Sequence, residues 1–303
     1  MGSKLGGEEE RVEMTENTPS PAVSPVKVPP GLHLVATPIG TARDITLRAL
    51  DVLAGADVLA AEDTRTLRHL MEIHGIALRG RPLVAVHDHN ETGVAPRIVA
   101  ALAEGKSVAY ASEAGTPLVS DPGFGLVRAA AAAGEKVHAV PGASAVLAAL
   151  TVAGLPTDRF MFAGFIPSPN GERKRFLQEL APLQSTLVLY ESPRRVHKAI
   201  ADMLVSFGET RPAALCRELT KRHEEVIRGT LAEIAAAIEG RELKGEIVLV
   251  TGRAEKVVAG EENIQAALEE ALQTMSVRDA VSFVSQTLNV ARKTVYQLAL
   301  ERE

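Results

Sequence analysis

The chain has 303 residues, 46% of them hydrophobic, enough to bury a sizeable core, and its length suggests two domains rather than one. A net charge of −5 excludes the overall basic excess of a protein that coats nucleic acid unselectively, so any such contact must be local. The single cysteine, Cys216, excludes an intramolecular disulfide and any multi-cysteine metal centre, which fits a reducing, cytoplasmic setting; the ~20 uninterrupted apolar residues of a membrane span and the basic-then-apolar pattern of a signal peptide are both missing, and tryptophan is absent.

Residues 1–30 carry Glu8-Glu-Glu10 and the proline-rich run from Thr18 to Pro30, too polar to join a core, and are expected to form a disordered tail. Five short apolar runs then follow: Leu32–Thr37, Val58–Ala61, Leu83–Val86, Val108–Ala111 and Val137–Val140, each reading as a strand buried on both faces. Helical patterns separate them, the first with Asp44 as its expected N-cap and Gly55 as its stop. Strand alternating with helix predicts a parallel sheet with right-handed crossovers, an N-terminal α/β domain over 31–154.

A second α/β domain, 155–253, is predicted from Phe160–Ile166, Thr186–Tyr190, Ala213–Cys216 and Ile247–Thr251, with Glu225–Thr230 as a more polar candidate for an antiparallel edge strand. Beyond Gly252 the strands stop. Ile264–Leu272, Val277–Leu288 and Val290–Leu300 read as three amphipathic helices of an appended module over 260–303, the last two separated by a turn near Asn289.

Ligands of open α/β sheets bind beyond the carboxyl ends of the strands, so unusual strand exits are the places to look. Four stand out: Thr37-Pro-Ile-Gly-Thr41, Ala61-Glu-Asp-Thr-Arg65, His87-Asp-His-Asn-Glu91 and Ser112-Glu-Ala-Gly-Thr-Pro117. The stretch 112–123 lacks both the Gly-x-Gly-x-x-Gly of dinucleotide sites and the Gly-Lys-Ser/Thr of a phosphate loop, which argues against nicotinamide cofactors and ATP. Gly115, Pro117 and Pro122 instead suit a loop that offers backbone N–H and C=O groups to a flat polar ligand. The histidines at 87 and 89 lack distant partners for a metal, so that loop, Asn90 included, reads as a polar patch for substrate or for orienting itself; His33, His138 and Cys216 read as core residues. Basic clusters at Arg173-Lys-Arg175, Arg194 to Lys198, Arg217 with Lys221-Arg222, and Arg292-Lys293 favour an anionic macromolecule as substrate, with Arg194, Arg217 and Lys221 among the candidate contacts.

Ala36-Thr-Pro-Ile-Gly40, Ala61 to Arg65, His87 to Glu91, Ser112 to Gly123, Val140-Pro-Gly-Ala-Ser144, Tyr190-Glu-Ser-Pro193 and Arg217-Glu-Leu-Thr-Lys221, in this order, resemble the tetrapyrrole methylase superfamily and, within it, the cytidine 2′-O-methyltransferases of small-subunit ribosomal RNA. The resemblance runs from about Gly31 to Gly252, and the C-terminal helices resemble that subfamily's extra module. It implies two α/β domains of the class III methyltransferase type, S-adenosyl-L-methionine as cofactor, a homodimer, and a cytidine ribose in the decoding region of 16S rRNA, free or in the 30S subunit, as substrate. It further implies that Pro38, Gly115, Thr116, Pro117, Leu118, Ser120, Gly142, Ala143 and Ser144 line the cofactor. Glu113 departs from the aspartate usual there. The hydroxyl must lose a proton, for which Glu113, Asp63 and His87 are the candidate acceptors, while Arg43 and Arg65 at the same edge are candidates to hold flanking phosphates. A corrin-methylating sibling and an RNA-binding factor without catalysis are the alternatives.

Overall fold

The computed structural model describes residues 26–254, 261–288 and 290–300; most of the expected tail and the turn at Asn289 lie outside them. The first sheet contains β1 (Gly31–Val35), β2 (Val58–Ala61), β3 (Leu83–Ala85), β4 (Ser107–Ala111) and β5 (Val137–Val140), joined by α1 (Leu47–Gly55), α2 (Thr64–Ile73), α3 (Glu91–Ala103) and α4 (Phe124–Ala132). Its order is β3-β2-β4-β1-β5 and every pairing is parallel. Apolar side chains of α1 and α2 cover one face and those of α3 and α4 the other. The central strands β2 and β4 are fully buried, as their unbroken apolar runs require. The edge strands β3 and β5 are only half-buried, contrary to the two-sided burial expected of all five, because an edge strand has a neighbour on one side only.

The first helix also starts later than expected. Asp44 ends a short 3-10 turn, Ile45 returns to extended backbone, and Thr46 is the cap, its hydroxyl accepting the Ala49 N–H at 3.1 Å. Val28, assigned to the tail by composition, is buried at 8% exposure and joins the α1 cluster; a Cβ on Gly55 would run into the Val26 carbonyl, so that glycine makes room for the incoming segment. His33 is buried, stacked on His138 at 4.6 Å and bonded through Nε2 to the Pro29 carbonyl at 2.8 Å.

After α5 (Ala145–Ala153) the second sheet is built from β6 (Phe160–Phe165), β7 (Thr186–Glu191), β8 (Pro212–Arg217), β9 (Glu225–Thr230) and β10 (Ile247–Thr251), with α6 (Asn170–Leu180), α7 (Val196–Phe207) and α8 (Leu231–Ile238). Its order is β6-β7-β10-β8-β9; only β6 and β7 are parallel, and β9 is an antiparallel edge strand. The apolar face of α5 packs on Val188, Ala214, Cys216, Val248 and Val250 of this sheet. Cys216 is fully buried there and burial pushes its thiol up to about 11, so it serves as a small apolar side chain.

Both sheets belong to one compact unit that runs to Gly252, apart from Pro182–Gln184. A second unit holds α9 (Glu261–Leu272), α10 (Val277–Thr287) and α11 (Arg292–Leu300), which pack around Ile264, Leu268, Val281, Val284 and Val295. Ser276 caps α10 by accepting the Asp279 N–H at 3.3 Å. Among the described residues no helix is long and apolar enough to cross a membrane.

Candidate active site

In the first sheet β1 and β4 lie side by side, yet the chain leaves β1 toward β2 and leaves β4 toward the opposite edge, β5. Such a reversal opens a crevice at the carboxyl ends, because the two following loops diverge. Here the loops are fastened across that crevice. Thr37 N–H donates to Gly115 O at 2.9 Å and Gly115 N–H returns to Thr37 O at 3.0 Å. Thr37 Oγ1 donates to Ser112 O at 3.2 Å, Ser112 Oγ to Gly115 O at 2.5 Å, and Thr116 Oγ1 to Ala143 O at 3.0 Å, which ties in the turn after β5. Gly115 has φ +83°, a conformation that favours glycine, and a Cβ there would also press on Ile39 at 3.2 Å.

The stretch that follows is wound tightly. Leu118 and Ser120 both take left-handed backbone, φ 71° and 62°, which costs a non-glycine residue about 1 kcal/mol or more and persists only where the surroundings enforce it. Gly123, φ +112°, admits the Tyr110 ring, which a Cβ would meet at 2.7 Å, and the Tyr110 hydroxyl donates to Pro122 O at 2.9 Å. The loop is therefore pinned at both ends, with Asp121 between the left-handed Ser120 and the anchored Pro122.

A cavity of about 650 Å³ opens beyond these loops, with Pro38, Glu62, Glu113 and Asp121 from the first sheet's exits facing Phe165, Tyr190, Lys221 and Glu246 from the second. Of the residues expected around the cofactor, Pro38, Gly115, Thr116, Ser120 and Ser144 line it; Pro117 and Leu118 are not among its lining residues. Gly142 and Ala143 line a second hollow of about 600 Å³ that also takes in Ile39 and Ser144.

The three expected proton acceptors fare differently. Asp63 is the N-cap of α2, accepting Arg65 N–H at 2.7 Å and Arg65 Nη2 at 2.6 Å, and these hydrogen bonds hold its carboxyl down at about 2, a poor base. His87 lies outside the lining; its backbone N–H donates to Asn90 Oδ1 at 2.9 Å. Glu113 lines the cavity and is exposed. Two carboxylates not singled out from the sequence join it. Burial raises the Glu62 carboxyl, reinforced by Glu113 and Asp88; burial raises Asp121 to about 7, reinforced by Glu62, Glu113 and Asp88. Asp121 Oδ2 is buried and has no hydrogen-bond partner. Glu62 had a signal in the sequence, because it directly follows the last residue of a buried strand; Asp121 had none beyond its place in the Gly/Pro loop.

Among the expected substrate contacts only Lys221 lines the cavity, its Nζ donating to Glu218 Oε1 at 2.9 Å and Glu246 Oε2 at 3.0 Å. Arg65 is committed to Asp63, and Arg217 to Glu225 at 3.0 Å and the Lys244 carbonyl at 3.2 Å. The Asn90 amide closes its own loop, donating to Ala85 O at 3.0 Å, while Arg43 and Arg194 are exposed and outside the lining. Among the described residues no group of three or more His, Cys, Asp or Glu side chains could hold a metal ion.

Comparison with known proteins agrees with this arrangement. A family model described as tetrapyrrole (corrin/porphyrin) methylases matches residues 31–235, and one described as the RsmI C-terminal HTH domain matches 258–303. The chain is 44% identical to the ribosomal RNA small subunit methyltransferase I of Mesorhizobium japonicum, over 90% of this chain and 92% of the relative. It is 43% identical to the protein of the same name from Xylella fastidiosa, over 89% and 99%. A crystal structure of the methyltransferase CobJ shares the fold at a TM-score of 0.57 and 20% identity, covering 74% of this chain and 95% of that one. With its sheet order, its fastened strand exits and these matches, the chain belongs to the tetrapyrrole methylase family and, within it, to the ribosomal RNA small subunit methyltransferase I group.

Proposed function

We propose that the protein transfers a methyl group from S-adenosyl-L-methionine to the ribose 2′-hydroxyl of a cytidine in the decoding region of small-subunit ribosomal RNA. The observation that carries this reading is the match to small-subunit methyltransferases over nine-tenths of the chain, its helical module included. The corrin-methylating alternative is weaker: the fold likeness to a cobalt precorrin-4 methyltransferase stops at 73% of the chain. A homodimer acting in the cytoplasm is part of the same reading. Exposed Phe160, Met161 and Phe165 on the edge strand β6 are consistent with a covered face.

The cavity fits the cofactor. Its size suits a nucleoside-sized ligand, its floor at Gly115 is backbone without a side chain, and Glu62, Glu113 and Asp121 set negative charge against a sulfonium. Pro38, Gly115, Thr116, Ser120 and Ser144 would hold it, with Pro117, Leu118, Gly142 and Ala143 shaping the loops behind them. When bound, it supplies an electrophilic methyl group on a leaving group already activated. What remains for the protein is alignment, exclusion of water and removal of the hydroxyl proton. Lys221 lines the cavity and would meet a substrate phosphate by exchanging Glu218 and Glu246 for it, with Arg43 and Arg194 outside the cavity as further phosphate contacts.

Methyl transfer from labelled cofactor to 30S subunits, followed by mapping of the modified nucleotide, tests the assignment. Label on a cytidine ribose supports it, and label on a base overturns it. Calorimetry with the cofactor alone separates an enzyme from an RNA-binding factor without catalysis, which would release no heat of binding.

A further inference from the structure

We propose that Asp121 takes the proton from the 2′-hydroxyl during methyl transfer, an assignment that deepens the functional reading above and rests on it. The acceptor must line the cavity, be free of an internal partner and be held rigidly. Asp63 fails the first two conditions, and His87 fails the first. Glu113 lines the cavity but is exposed, and Glu62 lines it without a buried, unpartnered oxygen. Asp121 meets all three. Its Oδ2 is buried with no hydrogen-bond partner, and its backbone is fixed by the left-handed Ser120 before it and by the Tyr110 hydroxyl on the Pro122 carbonyl after it.

The surroundings suit the task. The groups whose charge acts on Asp121 are Glu62 beyond β2, Asp88 beyond β3 and Glu113 beyond β4, with the neutral Tyr110 on β4 and Tyr190 on β7 close by; the one cation lining the same cavity among the described residues, Lys221, is held by Glu218 and Glu246. Burial and these neighbours bring the carboxyl to about 7, where it is ionised often enough to accept a proton and basic enough to pull one. In the step, the ribose oxygen forms a bond to the methyl carbon, the carbon–sulfur bond breaks with its electron pair left on sulfur, and the hydroxyl proton passes to the Asp121 carboxylate. The sulfonium charge disappears as the carboxylate is neutralised, so charge and atoms balance.

Two measurements test the assignment. The first needs no turnover: carbon-13 resonances of the aspartate carboxyls, assigned with Asp121→Asn, report the titration of Asp121. A midpoint near neutrality that moves down in Glu62→Gln supports the proposal, and a midpoint in the ordinary aspartate range overturns it. The second is the pH profile of single-turnover transfer to 30S subunits at saturating cofactor. Wild type is expected to lose rate on the acid side, Glu62→Gln and Glu113→Gln to shift that limb to lower pH, and Asp121→Asn, with cofactor held at saturation, to lose about 100-fold in rate together with the limb. Asp121→Asn that keeps both rate and limb overturns Asp121 alone. Wild type that modifies a base, or no 30S nucleotide at all, overturns the functional reading and the proton acceptor with it.

Discussion

Asp121 binds a proton more tightly in the folded protein than in the unfolded chain, since burial lifts its carboxyl from 3.8 to about 7. The stability this confers is complete below about pH 4 and is lost as pH rises through about 7. Asp121→Asn should therefore be more stable than wild type in mildly alkaline buffer, by on the order of 2 kcal/mol once solvent screening of a partly buried side chain is allowed for, and the two should converge at acid pH. Thermal melts across that range check this, and a variant less stable than wild type at alkaline pH would contradict it. Gly123→Ala should be costly instead: it sets a methyl against the Tyr110 ring at a backbone angle that disfavours alanine, a loss of roughly 2 kcal/mol by urea denaturation. Glu62 and Asp63 show how fine the residue scale is. They are adjacent and chemically alike, yet one faces the cavity and the other is consumed as the cap of α2, because the helix starts at Thr64.

At the scale of elements, most strands were legible as apolar runs, and the polar run 225–230 as an edge strand, because burial on two faces or one leaves a direct trace in composition. Helix starts were less legible. Asp44 and Thr46 are both good caps, and the choice between them depends on Ile45 taking an extended conformation. Thr46→Ala should cost about 1 kcal/mol, whereas Asp44→Ala, which removes no side-chain cap, should cost little. Chemical denaturation of the two variants side by side distinguishes the caps. The order of the second sheet was not legible: β10 comes last in the chain but lies between β7 and β8, a pairing that local patterns do not encode.

Across the whole molecule, the helical module has a core cluster of its own, which among the described residues runs from Ile264 to Ala299. A core that small is marginal by itself. Leu268→Ala, at a position with no exposure, should cost about 3 kcal/mol and should speed amide exchange in α9–α11 while β1 and β4 stay protected. Equal loss of protection in both units would show that they unfold together. If the module serves substrate rather than cofactor, the same variant leaves calorimetric cofactor affinity unchanged and weakens transfer to 30S subunits.

The chain's own pattern determined the alternation of strand and helix, the helical tail and the strand exits, and its motifs pointed to the family, because periodicity and loop chemistry are properties of neighbouring residues. Tertiary structure decided which exits meet, through the Thr37–Gly115 bridge. It also decided which polar groups stay free, committing Asp63, Arg65, Asn90, Arg217 and Lys221 to internal partners and leaving Asp121 Oδ2 buried without one. Each of the committed groups has a partner within eight residues along the chain, whereas the burial of Asp121 beside Glu62 and Asp88 joins distant parts of the chain, which no local pattern encodes.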